Sequence, residues 1–78
     1  MAKQIVVGAT YRHYKNLLVK VLGIALHSET QEALVIYEKL EDFGVYKKGS
    51  LWARPKDMFL EKVIVSGKKM PRFALVKK

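Results

Sequence analysis

The chain has no cysteine, so neither disulfide staples nor thiolate metal sites can hold it together. No apolar run approaches the roughly 20 residues that a membrane-spanning helix needs. Ile5-Val6-Val7, bounded by Gln4 and Gly8, is too short for the apolar stretch of a secretory signal. A reducing cytoplasm is the expected location, and no membrane association is expected. Sustained helical spacing is missing as well: apolar residues come in short, β-branched runs. Acids stop at Glu61, although Lys62, Lys68, Lys69, Arg72, Lys77 and Lys78 still follow.

The charge present is one-sided. Fifteen lysines and arginines against seven acids leave a net +8, and five of those acids (Glu29, Glu32, Glu38, Glu41, Asp42) share one stretch. A basic end, residues 62–78, is compatible with a polyanion, so weak, non-specific nucleic-acid binding through this tail is one expectation. The plainer reading is a solvated lysine surface that serves solubility. A hydrophobic share of 50% supports a compact fold rather than disorder. At 78 residues the chain is read as one domain over residues 1–78, its core at about 9–73. So short a chain buries only roughly 60–65% of its unfolded surface.

Strands are expected over 9–14, 17–27, 33–40, 51–54 and 60–65, with residues 70–76 a further candidate broken by Pro71. In the second run Leu17, Val19, Val21 and Ala25 share one parity while Leu22, Ile24 and Leu26 share the other, which predicts a bulge or bend at Gly23. Residues 41–50 read as a polar connection punctuated by Gly44 and Gly49. Pro55 must end its strand, and Pro55 to Phe59 suits a single helical turn with Phe59 and Met58 as a plug. The expected architecture is all-β: a small, partly open β-barrel of SH3 type, with one helical turn before the last strand. An OB-like barrel is the second choice.

Chemically rich residues concentrate in three places: Tyr11-Arg12-His13-Tyr14-Lys15, His27-Ser28-Glu29-Thr30, and Leu51-Trp52-Ala53-Arg54-Pro55. With Met58-Phe59, Val21-Leu22-Gly23-Ile24-Ala25, Val35-Ile36-Tyr37, Gly67 and Pro71-Arg72-Phe73, they carry a resemblance over about residues 9–73. The chain resembles the small bacterial domains of domain-of-unknown-function family sixteen fifty-three. That resemblance implies an SH3-type barrel and transfers no activity. Asn16 stands where the family pattern suggests glycine, a place where a positive φ tolerates asparagine.

The leading functional expectation is a non-enzymatic binding module. One rim would present Tyr11, Arg12, His13, Tyr14, His27, Glu29, Trp52 and Arg54 to a peptide, a modified residue or a nucleic-acid segment. Strand alternation puts Trp52 and Arg54 on one face, with Leu51 and Ala53 expected behind them in the core. Two plainer roles compete: Trp52 as a core residue, and Arg54 as a brace paired with Glu29. Tyr37 is expected in the core or under Tyr14. The alternative function is a small hydrolase or metal-dependent accessory domain, with His13, His27 and Glu29 as two histidines and one carboxylate. No cofactor is implied.

Overall fold

A computed structural model describes residues 5–76. Seven strands and one helical turn follow each other along these described residues. They are β1 (Thr10–His13), β2 (Leu17–Leu26), β3 (Ala33–Lys39), β4 (Leu51–Pro55), α1 (Lys56–Phe59), β5 (Lys62–Val65), β6 (Lys68–Pro71) and β7 (Phe73–Leu75). Five of them form one antiparallel sheet in the order β4-β3-β2-β1-β7, and β5-β6 is a separate hairpin. The domain is all-β apart from α1, as its short β-branched runs require. The strands do not close into a barrel: β4 and β7 are the two edges of the main sheet.

About five strands with the helical turn before the last were expected; three strands follow the turn instead. Local chemistry explains the difference. Ser66 and Gly67 both take positive φ, 52° and 76°, the left-handed pair that suits a tight two-residue hairpin. The hairpin therefore closes on itself. Pro71 ends it, and the chain resumes at Phe73 as a new strand against β1, with His13 opposite Phe73.

The β1–β2 turn is built on Asn16, at φ 69°, whose amide donates to the His13 carbonyl at 2.7 Å. Asparagine thus takes the left-handed position predicted for it. Within β2 the register with β3 shifts between Val21 and Gly23, so the bulge lies where the parity changes. Gly23 has no positive φ, and a Cβ there would meet nothing within 4 Å. The change in parity, rather than glycine's freedom, marks this bulge. Beyond it Leu22, Ile24 and Leu26 are exposed, so the far end of β2 meets no second layer within the described residues.

The core is one cluster of Tyr11, Val19, Val21, Val35, Tyr37, Phe59 and Phe73. Six of these residues come from the inner face of the sheet, and α1 supplies the seventh. The Phe59 ring stacks on Phe73 at 4.2 Å and 4°, and meets Tyr11 at 5.3 Å and Tyr37 at 5.8 Å. Fully burying such a side chain is worth about 1.5–3 kcal/mol. The buried Tyr11 hydroxyl accepts a hydrogen bond from the Val6 amide at 3.0 Å, so its polar tip is satisfied. The plug is Phe59 alone. Met58, one residue earlier on the four-residue turn, points outward and is exposed.

Candidate functional site

Pairing with β3 decides which way β4 faces. Arg54 lies opposite Val35 and Trp52 opposite Tyr37, and both β3 partners are buried. Directly opposed residues share a sheet face, so Trp52 and Arg54 turn to the inner, concave side. Leu51 and Ala53 are exposed on the outer side. The expectation that these two lie behind in the core is therefore reversed. On an edge strand the apolar pattern is a weaker guide than the register.

The concave face holds a cavity of about 210 Å³. Its walls come from His13 and Phe73 on β1 and β7, Lys15, Leu17 and Val19 on the first hairpin, and Tyr37 and Lys39 on β3. Trp52 and Arg54 on β4 complete the walls, with Phe43 and Tyr46 from the β3–β4 connection. That connection is a small hairpin in its own right. Phe43 and Tyr46 bond each other through both amides, at 2.8 and 2.9 Å. Asp42 Oδ1 accepts from the Lys48 amide at 2.8 Å, and Gly44 and Gly49 take φ 60° and 93°. Tyr46 meets Trp52 edge to face at 4.8 Å, and the Trp52 Nε1–H donates to Ser50 Oγ at 3.1 Å.

The electrostatics of this cavity are uniform in sign. Lys15, Lys39 and Arg54 line it, and no aspartate or glutamate does. The Lys39 ammonium lies 5.0 Å from the Trp52 ring centre and 5.6 Å from that of Phe43. The Arg54 guanidinium lies 5.6 Å from the Phe73 ring centre. Ring faces, not carboxylates, are therefore its counterpart. Arg54 Nε is enclosed with no hydrogen-bond partner. Among the described residues the ion pair is Arg72–Glu61, at 2.8 Å. Glu41 and Asp42, which precede Phe43, accept from the backbone amides of Leu18 and Lys48. Burial, then the charges of Arg54, Arg72, Lys15 and Lys39, lowers the His13 pKa from 6.5 to about 4. The imidazole is neutral at pH 7, and its Nδ1 accepts from the Lys15 amide at 3.2 Å.

The Phe43, Tyr46 and Trp52 rings on one side of this hollow could in general cage a cation, an interaction worth about 0.5–2 kcal/mol. Here Lys39 already lies against two of them. Bringing a second positive charge to about 4 Å from the first costs about 4 kcal/mol at an effective dielectric of about 20. Repulsion outweighs the ring attraction, so a second cation beside Lys39 is disfavoured.

Of the residues expected on one rim, His13, Trp52 and Arg54 meet at this cavity. Tyr11 does not: it faces the same side as His13 but is covered by Phe59 in the core. Arg12, on the opposite parity, lines a separate hollow of about 160 Å³ with Tyr14, Asn16 and Met70. His13 touches both spaces. His27 and Glu29 lie at the far end of β2, where His27 Nδ1 accepts from the amides of Glu29 and Thr30. His27 is a turn-former there. His13 sits opposite Leu17 at the near end of β2, so the two histidines and Glu29 do not meet. Among the described residues no group of three His, Cys, Asp or Glu is placed to hold a metal ion. Arg54 has no pairing with Glu29, so the brace is absent too. Lys39, Phe43 and Tyr46 went unread as site residues. The available signal was two aromatics around Gly44-Val45 in an otherwise polar connection.

Residues 9–75 match the family described as "Protein of unknown function (DUF1653)". The chain belongs to the DUF1653 family. A crystal structure of a DUF1653 protein from Bordetella bronchiseptica is similar at a TM-score of 0.78 and 33% sequence identity. The similarity covers 96% of this chain and 92% of that one. No curated protein matches. The family resemblance read from the Tyr11, Trp52 and Phe73 motifs is thus established, and every cavity residue falls within the matched DUF1653 region. The family description assigns no activity, so a functional reading rests on the cavity itself. No helix among the described residues is long and apolar enough to cross a membrane.

Proposed function

We propose that this domain is a non-enzymatic binding module that receives one small group of a ligand or partner in the concave cavity. One observation carries the reading: rings from Phe43, Tyr46, Trp52 and Phe73 and the cations of Lys39 and Arg54 line a single hollow, with Lys15 at its margin. Apolar walls with a few convergent polar groups are the usual make-up of a ligand site. At about 210 Å³ the space is smaller than the roughly 300–1,000 Å³ of drug-sized pockets. It suits one side chain, one base or one small molecule. His13 has no serine, threonine, aspartate or glutamate beside it in the lining to activate or be oriented by, which favours binding over hydrolysis.

The domain's one tryptophan stands in the cavity wall and makes the test direct. A library of single-ring fragments, neutral, cationic and anionic, is titrated against ¹⁵N-labelled protein. The Trp52 indole N–H and its fluorescence are followed. Some fragments are expected to shift the indole resonance saturably, and Phe43→Ala with Tyr46→Ala should abolish that shift. A library in which no fragment perturbs Trp52 overturns the reading.

A further inference from the structure

We propose, building on the binding-module reading, that the group received is an anion carried on a planar ring: an aryl phosphate or aryl carboxylate. Three independent features of the cavity converge on this class. The first is charge without counter-charge. Lys15, Lys39 and Arg54 share the cavity, no carboxylate lines it, and Arg54 finds only the Phe73 ring at 5.6 Å. A phosphate or carboxylate supplies the missing partner, and the forked guanidinium is suited to hold it.

The second feature is the arrangement of the rings. Tyr46 and Trp52 stand at 76° to each other with centres 4.8 Å apart. Two ring planes at that angle make a corner rather than a closed stack. A flat ring can lie against one plane and meet the other with its edge, the geometry aromatic groups prefer. The third feature is size. About 210 Å³ accommodates one ring with its anion and leaves no room for a strand of stacked bases. A bare inorganic anion would leave the aromatic corner unfilled. A neutral ring would leave Lys39 and Arg54 with ring faces alone and no anionic partner.

Bound anion also has a consequence for His13. The cations that face it are Arg54 from β4, Arg72 from before β7, Lys15 from the first turn and Lys39 from β3. An anion of one or two negative charges offsets part of this positive field and so raises the His13 pKa.

The probes are phenyl phosphate, inorganic phosphate, phenol and benzylamine, each titrated against the full chain. Trp52 Nε1–H, Arg54 Nε–H and the His13 ring resonances are followed. Phenyl phosphate is expected to bind at least about tenfold tighter than either phosphate or phenol alone. It should move the Trp52 and Arg54 signals together and raise the His13 pKa. Arg54→Gln should weaken it by about 10- to 100-fold, the loss of a charge-assisted contact. Lys39→Gln is the second variant, should Arg54→Gln disturb folding, and should weaken phenyl phosphate while leaving phenol unchanged. If phenol or benzylamine occupied the cavity as tightly as phenyl phosphate, the ligand class would be wrong while the binding-module reading stood. If none of the four probes perturbed Trp52, this ligand class would fail, and failure of the whole fragment library would remove the reading beneath it.

Discussion

At the scale of single residues, His13 is the group whose protonation reports the state of the cavity. Its folded-state pKa of about 4 lies below the ordinary 6.5, through burial first and the surrounding cations second. The unfolded chain therefore takes the proton before the folded one does. Stability from this source is complete above about pH 6.5 and is lost as pH falls toward about 4. His13→Gln is expected to flatten the melting temperature across that window, measured by thermal scans at pH 4.5, 5.5 and 7. Arg54→Gln should raise the His13 pKa, read from its ring proton shifts, because the largest of the opposing charges is gone. A His13 titration unmoved by that change would sever the two residues. Trp52 is partly buried and packs on the core, so Trp52→Ala should cost about 2–3 kcal/mol, less than the roughly 3–5 of a fully enclosed aromatic. The alternation of Trp52 with Arg54 was legible in the chain. Which side they faced was not, because β4 is an edge strand whose outward Leu51 and Ala53 mimic a core pattern. Only the pairing of Val35 with Arg54 settles the direction.

Among the elements, the β3–β4 connection and α1 divide their tasks sharply. The connection adds aromatic wall to the cavity and little to the core: Phe43 and Tyr46 are 48% and 46% exposed. A Phe43→Ala, Tyr46→Ala double variant should therefore keep its stability to within about 1 kcal/mol of the parent, since exposed positions rarely cost more. It should still lose ligand binding. α1 is the reverse case. Phe59→Ala removes the ring that touches Tyr11, Tyr37 and Phe73 and is expected to cost about 3–5 kcal/mol. Chemical denaturation measures both; a stable Phe59→Ala protein would mean that α1 is not the plug. The strand runs, the bulge near Gly23 and the helical turn after Pro55 were readable because each depends on local patterning and turn chemistry, while the Asn16 turn came from the family resemblance. The split of residues 62–76 into a self-contained hairpin and a separate β7 was not. It turns on the long-range choice of β1 as the partner of Phe73.

Over the described residues the positive charges fall on different elements. Lys62, Lys68 and Lys69 lie on the detached β5–β6 hairpin, Arg72 is engaged by Glu61, and Lys77 and Lys78 fall outside the described residues. The cavity cations belong to the main sheet. Any oligonucleotide binding by the hairpin should be non-specific. With three described lysines, its log K against log salt slope should be about −2 to −3. Titrations of labelled single- and double-stranded oligonucleotides at several salt concentrations check this. A markedly steeper slope would show that more of the basic surface takes part. Phenyl phosphate binding in the cavity should weaken less with salt, since a partly enclosed pair is screened less than a surface one.

The strand order also sets a sequence of events in time. Tyr11 meets Val19 only eight positions along the chain, but meets Leu75 sixty-four positions along. An eightfold longer loop costs about 2 kcal/mol more entropy to close. The β1–β4 meander can therefore assemble from neighbouring contacts, with β7 docking afterwards. Phe73 travels with β7, so the stack on Phe59 and the last wall of the cavity arrive together at the final step. With β7 undocked, the β1–β4 meander could stand and yet lack the Phe73 wall of the pocket.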